Sequence, residues 1–161
     1  MKKILLFLTI IIISTVVWFG ESRKFFSLEN GEYITVWKTY NNVSYVIPGK
    51  YYGITKPSKR FIESSNTNYI TIYHSAELPN AFIFQSSEEV KVNNVVKNDV
   101  VFYDYTKDTS RFDKILYVAN PKNRSDLKTG AELMNINIHE NYATDKTGKK
   151  LYLSCQKYWE D

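Results

Sequence analysis

Three side chains in the 161-residue chain could supply thiol or imidazole chemistry: Cys155, His74 and His139. A nucleophilic cysteine needs a base within hydrogen-bond reach and an electropositive, partly open setting that favours the thiolate. Met134, Ile136 and Ile138 alternate on one face of an expected strand, and Leu151, Leu153 and Cys155 do so on the next. An ordinary hairpin register then turns Cys155 into the core and His139 to the opposite face. His74 closes the alternation Ile70, Ile72, His74, which sets it at the rim of an apolar face. Two histidines without a His-x-x-x-His pair, and a cysteine without a second, do not make a zinc ligand set. No catalytic residue, metal site or cofactor site is expected.

The carboxylates are no more suggestive. Asp104, Asp108 and Asp113 share a polar stretch but lack the alternating ligands around a Gly bend that a calcium loop requires. Asp145-Lys146-Thr147-Gly148 shares four letters with the phosphorylation motif of P-type ATPases, but the chain has neither the length nor the companion motifs of that chemistry. A turn accounts for it better, with Asp bonding its own backbone and Gly taking the left-handed conformation. No Gly-x-x-x-x-Gly-Lys-Ser/Thr phosphate loop occurs.

Binding residues are easier to nominate. Lys56-Pro57-Ser58-Lys59-Arg60 is the one local basic cluster. It reads either as a solvated loop or as a contact for anionic headgroups or cell-surface polymer, carried by Lys56 and Arg60. Tyr33 and Trp37 share one face of their expected strand, as do Tyr69, Thr71 and Tyr73 of another. If those strands are neighbours, they form an aromatic, hydroxyl-bearing surface of the kind that binds sugars or proteins. If they are not, each row is a second buried face of a sandwich.

The elements that must position these residues are mostly strands. From Ser27 onward, short runs rich in β-branched and aromatic residues recur between turn signals, and no segment keeps a helical period over a dozen residues. Strands are expected over 33–40, 43–47, 51–55, 69–74, 81–85, 89–92, 99–105, 114–118, 132–139 and 151–157, with loops over 57–67 and 119–130. Pro48-Gly49 and Asp145 to Gly148 mark turns, the second joining the last two strands in a hairpin. Ser110-Arg111-Phe112-Asp113 resembles a capping box, so 111–118 has a short helix as its alternative, and 125–129 another helical turn. The fold class is a single antiparallel β-sandwich or partly open barrel, with an α+β domain carrying one or two short helices as the alternative.

Before it stands a different kind of segment. Lys2 and Lys3 precede Ile4 to Phe19, apolar but for Thr9, Ser14 and Thr15, and polar residues return at Glu21. This is the pattern of an export signal or membrane anchor. Sixteen helical residues reach about 24 Å, and snorkelling Lys3 and Arg23 with an interfacial Trp18 extend that toward a bilayer core of about 30 Å. The bulky Val16-Val17-Trp18-Phe19 stretch suits a signal peptidase poorly, which favours an uncleaved anchor over secretion after cleavage. A lipoprotein is excluded, because the lone Cys155 lies far from this segment. The positive-inside rule puts the N-terminus in the cytoplasm and the domain outside. Residues 1–26 are thus anchor and flank, and 27–161 the β-rich domain.

Without Lys2 and Lys3, the formal charge of +4 falls to 19 basic against 17 acidic residues, too balanced for nucleic acid as partner. One cysteine permits no internal disulfide, so the domain is held by its core. These features imply a membrane-anchored extracytoplasmic binding or interaction module, with a protein or cell-surface polymer as partner and the membrane engaged through residues 4–19. The alternatives are a small envelope hydrolase built from scattered residues, and a membrane-tethered inhibitor or immunity-type protein.

Overall fold

The computed structural model describes residues 2–28, 30–65, 69–94, 101–118, 126–140, 142–145 and 147–149, apart from the side chains of 16–21. It begins with helix α1 (Lys2–Ser22), which passes without a linker into strand β1 (Arg23–Ser27). Within the described residues, which leave out the side chains of 16–21 in α1, no helix is long and apolar enough to cross a membrane, so the expected N-terminal apolar anchor is not supported there.

The domain is mostly β. Strands β2 (Tyr33–Lys38), β3 (Ser44–Pro48) and β4 (Phe61–Ser64) continue an antiparallel meander from β1, and β7 (Lys91–Asn93) completes a first sheet in the order β1-β2-β3-β4-β7. The second sheet runs β10 (Tyr142–Thr144), β9 (Ala131–Asn137), β5 (Tyr69–Ser75), β6 (Phe82–Ser86) and β8 (Phe102–Asp104). All its pairs are antiparallel except β6 with β8, which are parallel because the chain crosses to β7 in the other sheet between them. The sheets do not close into a barrel.

The two sheets pack face to face. Ile34, Val36, Val46 and Ile62 from the first meet Ile70, Ile72, Phe84, Met134 and Ile136 from the second in one buried cluster. The period-2 alternation of the strands produces this, since each apolar row lies on one side of its sheet. At roughly 1.5–3 kcal/mol per fully buried aliphatic side chain, this layer is the main source of stability. The outer faces are covered as well. Residues 49–60 lie over the first sheet, above Trp37, Tyr45, Ile47 and Phe61. Helix α2 (Thr109–Leu116) lies over the second and buries Phe112 and Leu116 against Tyr73 and Ile83. Strand β2 is therefore buried on both faces, and its sequence Tyr-Ile-Thr-Val-Trp-Lys carries hardly any polar alternation.

Several expectations are corrected. Residues 23–26, assigned by hydropathy to the flank of the anchor, pair with β2 from Arg23↔Trp37 to Phe26↔Ile34 and belong to the domain. The expected strand at 51–55 is irregular. Its potential sheet partners are already paired, so Tyr51 N–H donates to the Thr35 hydroxyl at 2.9 Å and Tyr51 Oη to the Thr55 carbonyl at 2.6 Å. The expected loop at 57–67 contains β4. The expected strand at 114–118 is instead the end of α2, because Phe112 and Leu116, one turn apart, bury together. The capping residue is Asp108, whose side chain accepts from Arg111 N–H, rather than Ser110. The segment 151–157, with Cys155, lies outside the described residues.

The register gives the sandwich two distinct ends. At the α1 end lie Arg23, Trp37, Tyr45 and Glu63, in one cross-strand row. Lys38 Nζ donates to the His139 carbonyl at 3.0 Å and ties this end of the first sheet to the turn between β9 and β10. At the far end lie the β1–β2 turn, Gly49 and the β5–β6 turn, where the Asn30 amide meets His74 Nδ1 at 3.3 Å. A seam between edge strands β7 and β8 is bridged by Asn94, whose side chain donates to the Phe102 carbonyl at 2.9 Å and accepts from its N–H at 3.1 Å.

Candidate functional site

The far end holds a cleft of about 570 Å³ between the two sheets, lined by Glu32, Tyr33, Pro48, Gly49, Arg60, Pro79, Asn80, Phe82 and Val101. Turns build it. Gly31 at φ 85° lets the β1–β2 connection fold back, with Leu28 N–H donating to the Glu32 carbonyl at 2.8 Å, which puts Glu32 on the rim. Gly49 at φ 79° turns the chain out of β3, and its N–H bonds the Tyr33 carbonyl at 2.6 Å. Arg60 adopts φ 57°, a left-handed conformation that costs a non-glycine residue roughly 1–2 kcal/mol, and it does so where the chain enters β4 beside the cleft.

His74 stands behind this rim. It is buried, its ring 5.8 Å from that of Phe82, and its Nε2 faces Glu32 Oε2 at 3.7 Å, beyond hydrogen-bond length. Neither of these buried atoms has a hydrogen-bond partner among the described residues. Glu132 is paired with His74 across the β5–β9 ladder. The cleft thus presents a guanidinium, a carboxylate and two prolines on a rim that includes Tyr33, whose ring lies under Lys50 Nζ at 4.0 Å, a mixture suited to an extended polar ligand or a protein loop. Among the described residues no group of three or more His, Cys, Asp or Glu side chains could hold a metal ion.

The nominated binding residues fall into three places. Tyr33 and Arg60 come together at the far-end cleft. Trp37 and Lys56 come together on the outer face of the first sheet. There the Trp37 ring lies 5.4 Å from Tyr45 and 6.1 Å from Tyr51, and Lys56 Nζ sits 5.0 Å from the Phe61 ring and 5.5 Å from the Tyr45 ring. Lys56 is also paired with Glu63, and that hydrogen bond holds its ammonium above the usual lysine range. Arg23 covers Trp37 from above, and burial pulls its guanidinium below the usual arginine value. Tyr69 and Tyr73 lie on the other sheet. Tyr73 is buried, stacked at 5.8 Å on Tyr105 and bonded to Gln85 at 3.3 Å, and burial raises its phenol well above the ordinary value.

The structure therefore does not join Tyr33 and Trp37 to Tyr69 and Tyr73 in one aromatic surface. The two rows face outward from opposite sheets, and Trp37 and Tyr73 are covered. The basic cluster is divided too, with Lys56 near the α1 end and Arg60 at the far end. His139 is exposed in the β9–β10 turn. Glu32 and Asn30 were not singled out from the sequence, although Asn30-Gly31 is a strong turn signal. Comparison with protein-family models, curated proteins and solved structures finds no match.

Proposed function

We propose that the protein is a single-pass, membrane-anchored extracytoplasmic binding module that presents its far-end cleft away from the bilayer to a protein or cell-surface polymer. The observation that carries this reading is on α1. Nine large apolar side chains between Ile4 and Ile13 stand 45–68% exposed on every face of the helix. Water disfavours such a helix, and a hydrocarbon layer satisfies it, since its backbone bonds are internal. With α1 joined directly to β1, the end of the sandwich remote from the helix is the one offered to a partner.

The test uses the full chain in cells. A reporter enzyme active only outside the cytoplasm, fused behind Asp161, should be active, and the protein should resist carbonate extraction from membranes. A photo-crosslinker at Asn80, on the cleft rim, should yield a discrete adduct that Arg60→Glu diminishes several-fold. Cytoplasmic reporter activity overturns the location. Adducts at Asn80 identical to those at exposed Glu140 overturn the cleft.

A further inference from the structure

Building on the anchored reading, we infer that the α1 end of the sandwich is a second membrane contact, with Tyr40 and Ile54 set into the lipid headgroup layer. Outside α1, five large hydrophobic side chains among the described residues are at least half exposed: Tyr40 at 93%, Ile54 at 79%, Tyr52 at 61%, Tyr69 at 54% and Val118 at 50%. The first four lie at or flank the end from which the helix leaves.

The register places them. Tyr40 tips the turn between Lys38 and Ser44, which pair at the α1 end of β2 and β3. Ile54 follows Gly53, whose carbonyl accepts from Arg23 Nη2 at 2.5 Å, so the first residue after the helix holds this loop beside it. Tyr52 packs on Phe25 with ring centroids 5.1 Å apart. Tyr69 opens β5 opposite Asn137, next to the turn tied to Lys38. Apolar side chains left in water at a tether point are unfavourable, whereas tyrosine, with an apolar ring and a polar tip, partitions to the headgroup layer. The tether also raises the local concentration of lipid, so a weak contact suffices.

The occupant is the bilayer itself. Charge makes no case for anionic lipid in particular, because Glu88, Glu89 and Glu140 share this end with Lys38 and Lys56. The contact is therefore of the interfacial aromatic kind and operates on zwitterionic membranes.

The experiment reconstitutes the full chain, with Cys155→Ser, in phosphatidylcholine vesicles. A polarity-sensitive fluorophore is attached at Ile54→Cys, at Tyr40→Cys or, as control, at Asn80→Cys on the far end. Headgroup-depth spin-labelled lipid should quench the first two at least threefold more than the third, at every protein-to-lipid ratio. Equal quenching at all three positions in protein that floats with the vesicles overturns the contact and leaves the anchor standing. Protection that vanishes on dilution in lipid assigns the surface to a second copy and overturns it too. Failure to float overturns both readings.

Discussion

The guanidinium of Arg23 lies 4.3 Å above the indole centroid of Trp37, and its Nη2 donates to the Gly53 carbonyl at 2.5 Å. The first residue beyond the helix is thus a buried cation sandwiched between β2 and the loop that covers it, 2% exposed. A charge-assisted hydrogen bond and a desolvated cation–π contact are lost together in Arg23→Ala. We expect unfolding to become easier by about 2–4 kcal/mol, read from the urea midpoint. Arg23→Lys should recover less than half, since an ammonium cannot cover the indole face and reach the carbonyl at once. A loss under about 0.5 kcal/mol for the alanine variant would refute this account.

Asn94 substitutes for a strand partner of Phe102 by bonding both its N–H and its carbonyl. Asn94→Ala leaves a buried donor and acceptor unserved, at a cost of about 1–3 kcal/mol. Exchange of the Phe102 amide with deuterium should accelerate well beyond the global change, because the seam opens locally. An unaltered rate there would show that other groups close the seam.

Ile72 is fully buried at the centre of the inter-sheet cluster, between Phe84 and Met134 in the ladder. Ile72→Val should cost about 0.5–1.5 kcal/mol and Ile72→Ala about 2–5 kcal/mol in chemical denaturation. Equal and small effects would place the weight of the core elsewhere.

Asp145 accepts from the Thr147 hydroxyl at 2.6 Å, from the Thr147 N–H at 2.8 Å and from the Lys149 N–H at 3.0 Å. The hydroxyl bond foremost, then the two amides, hold its carboxyl below the ordinary value. A carboxylate with a lowered folded pKa contributes stability above its unfolded value of about 3.9 and loses it as pH falls through the folded one. The Thr147 and Lys149 amide resonances should therefore titrate with a midpoint below about 3.9, moving upward in Thr147→Val. A midpoint at or above that value contradicts the bonding.

What the sequence made legible was local. Alternation located β2, β3, β5, β6 and most of β9, and Pro48-Gly49 and Asp145 to Gly148 turn where their chemistry requires. Strand β1 was hidden because Phe25-Phe26 is a short apolar pair set behind the polar Glu21 to Lys24, where hydropathy shows only the flank of the helix, although Asn30-Gly31 after it is a turn signal. Strand β4 was hidden because Phe61-Ile62 is a short apolar pair in polar surroundings. The site was less legible still. Alternation says that Tyr33 and Trp37 share a face and that Tyr69 and Tyr73 do, but which sheet a strand joins depends on contacts far along the chain. The pairing of Glu32 with His74 spans the β1–β2 turn and the end of β5, and no spacing rule reports it.

One strand governs the order in which the molecule can be completed. β9 is an inner strand of its sheet, between β5 and β10, and the Thr71 hydroxyl finds its Asn135 acceptor 64 residues downstream. During synthesis β5 therefore waits with a bare edge until residue 137 has emerged, an interval in which it can recruit foreign strands. A chain cut short before Ala131 would keep that edge permanently and should be cleared or aggregate, whereas one that extends through Thr144 carries every sheet strand found among the described residues.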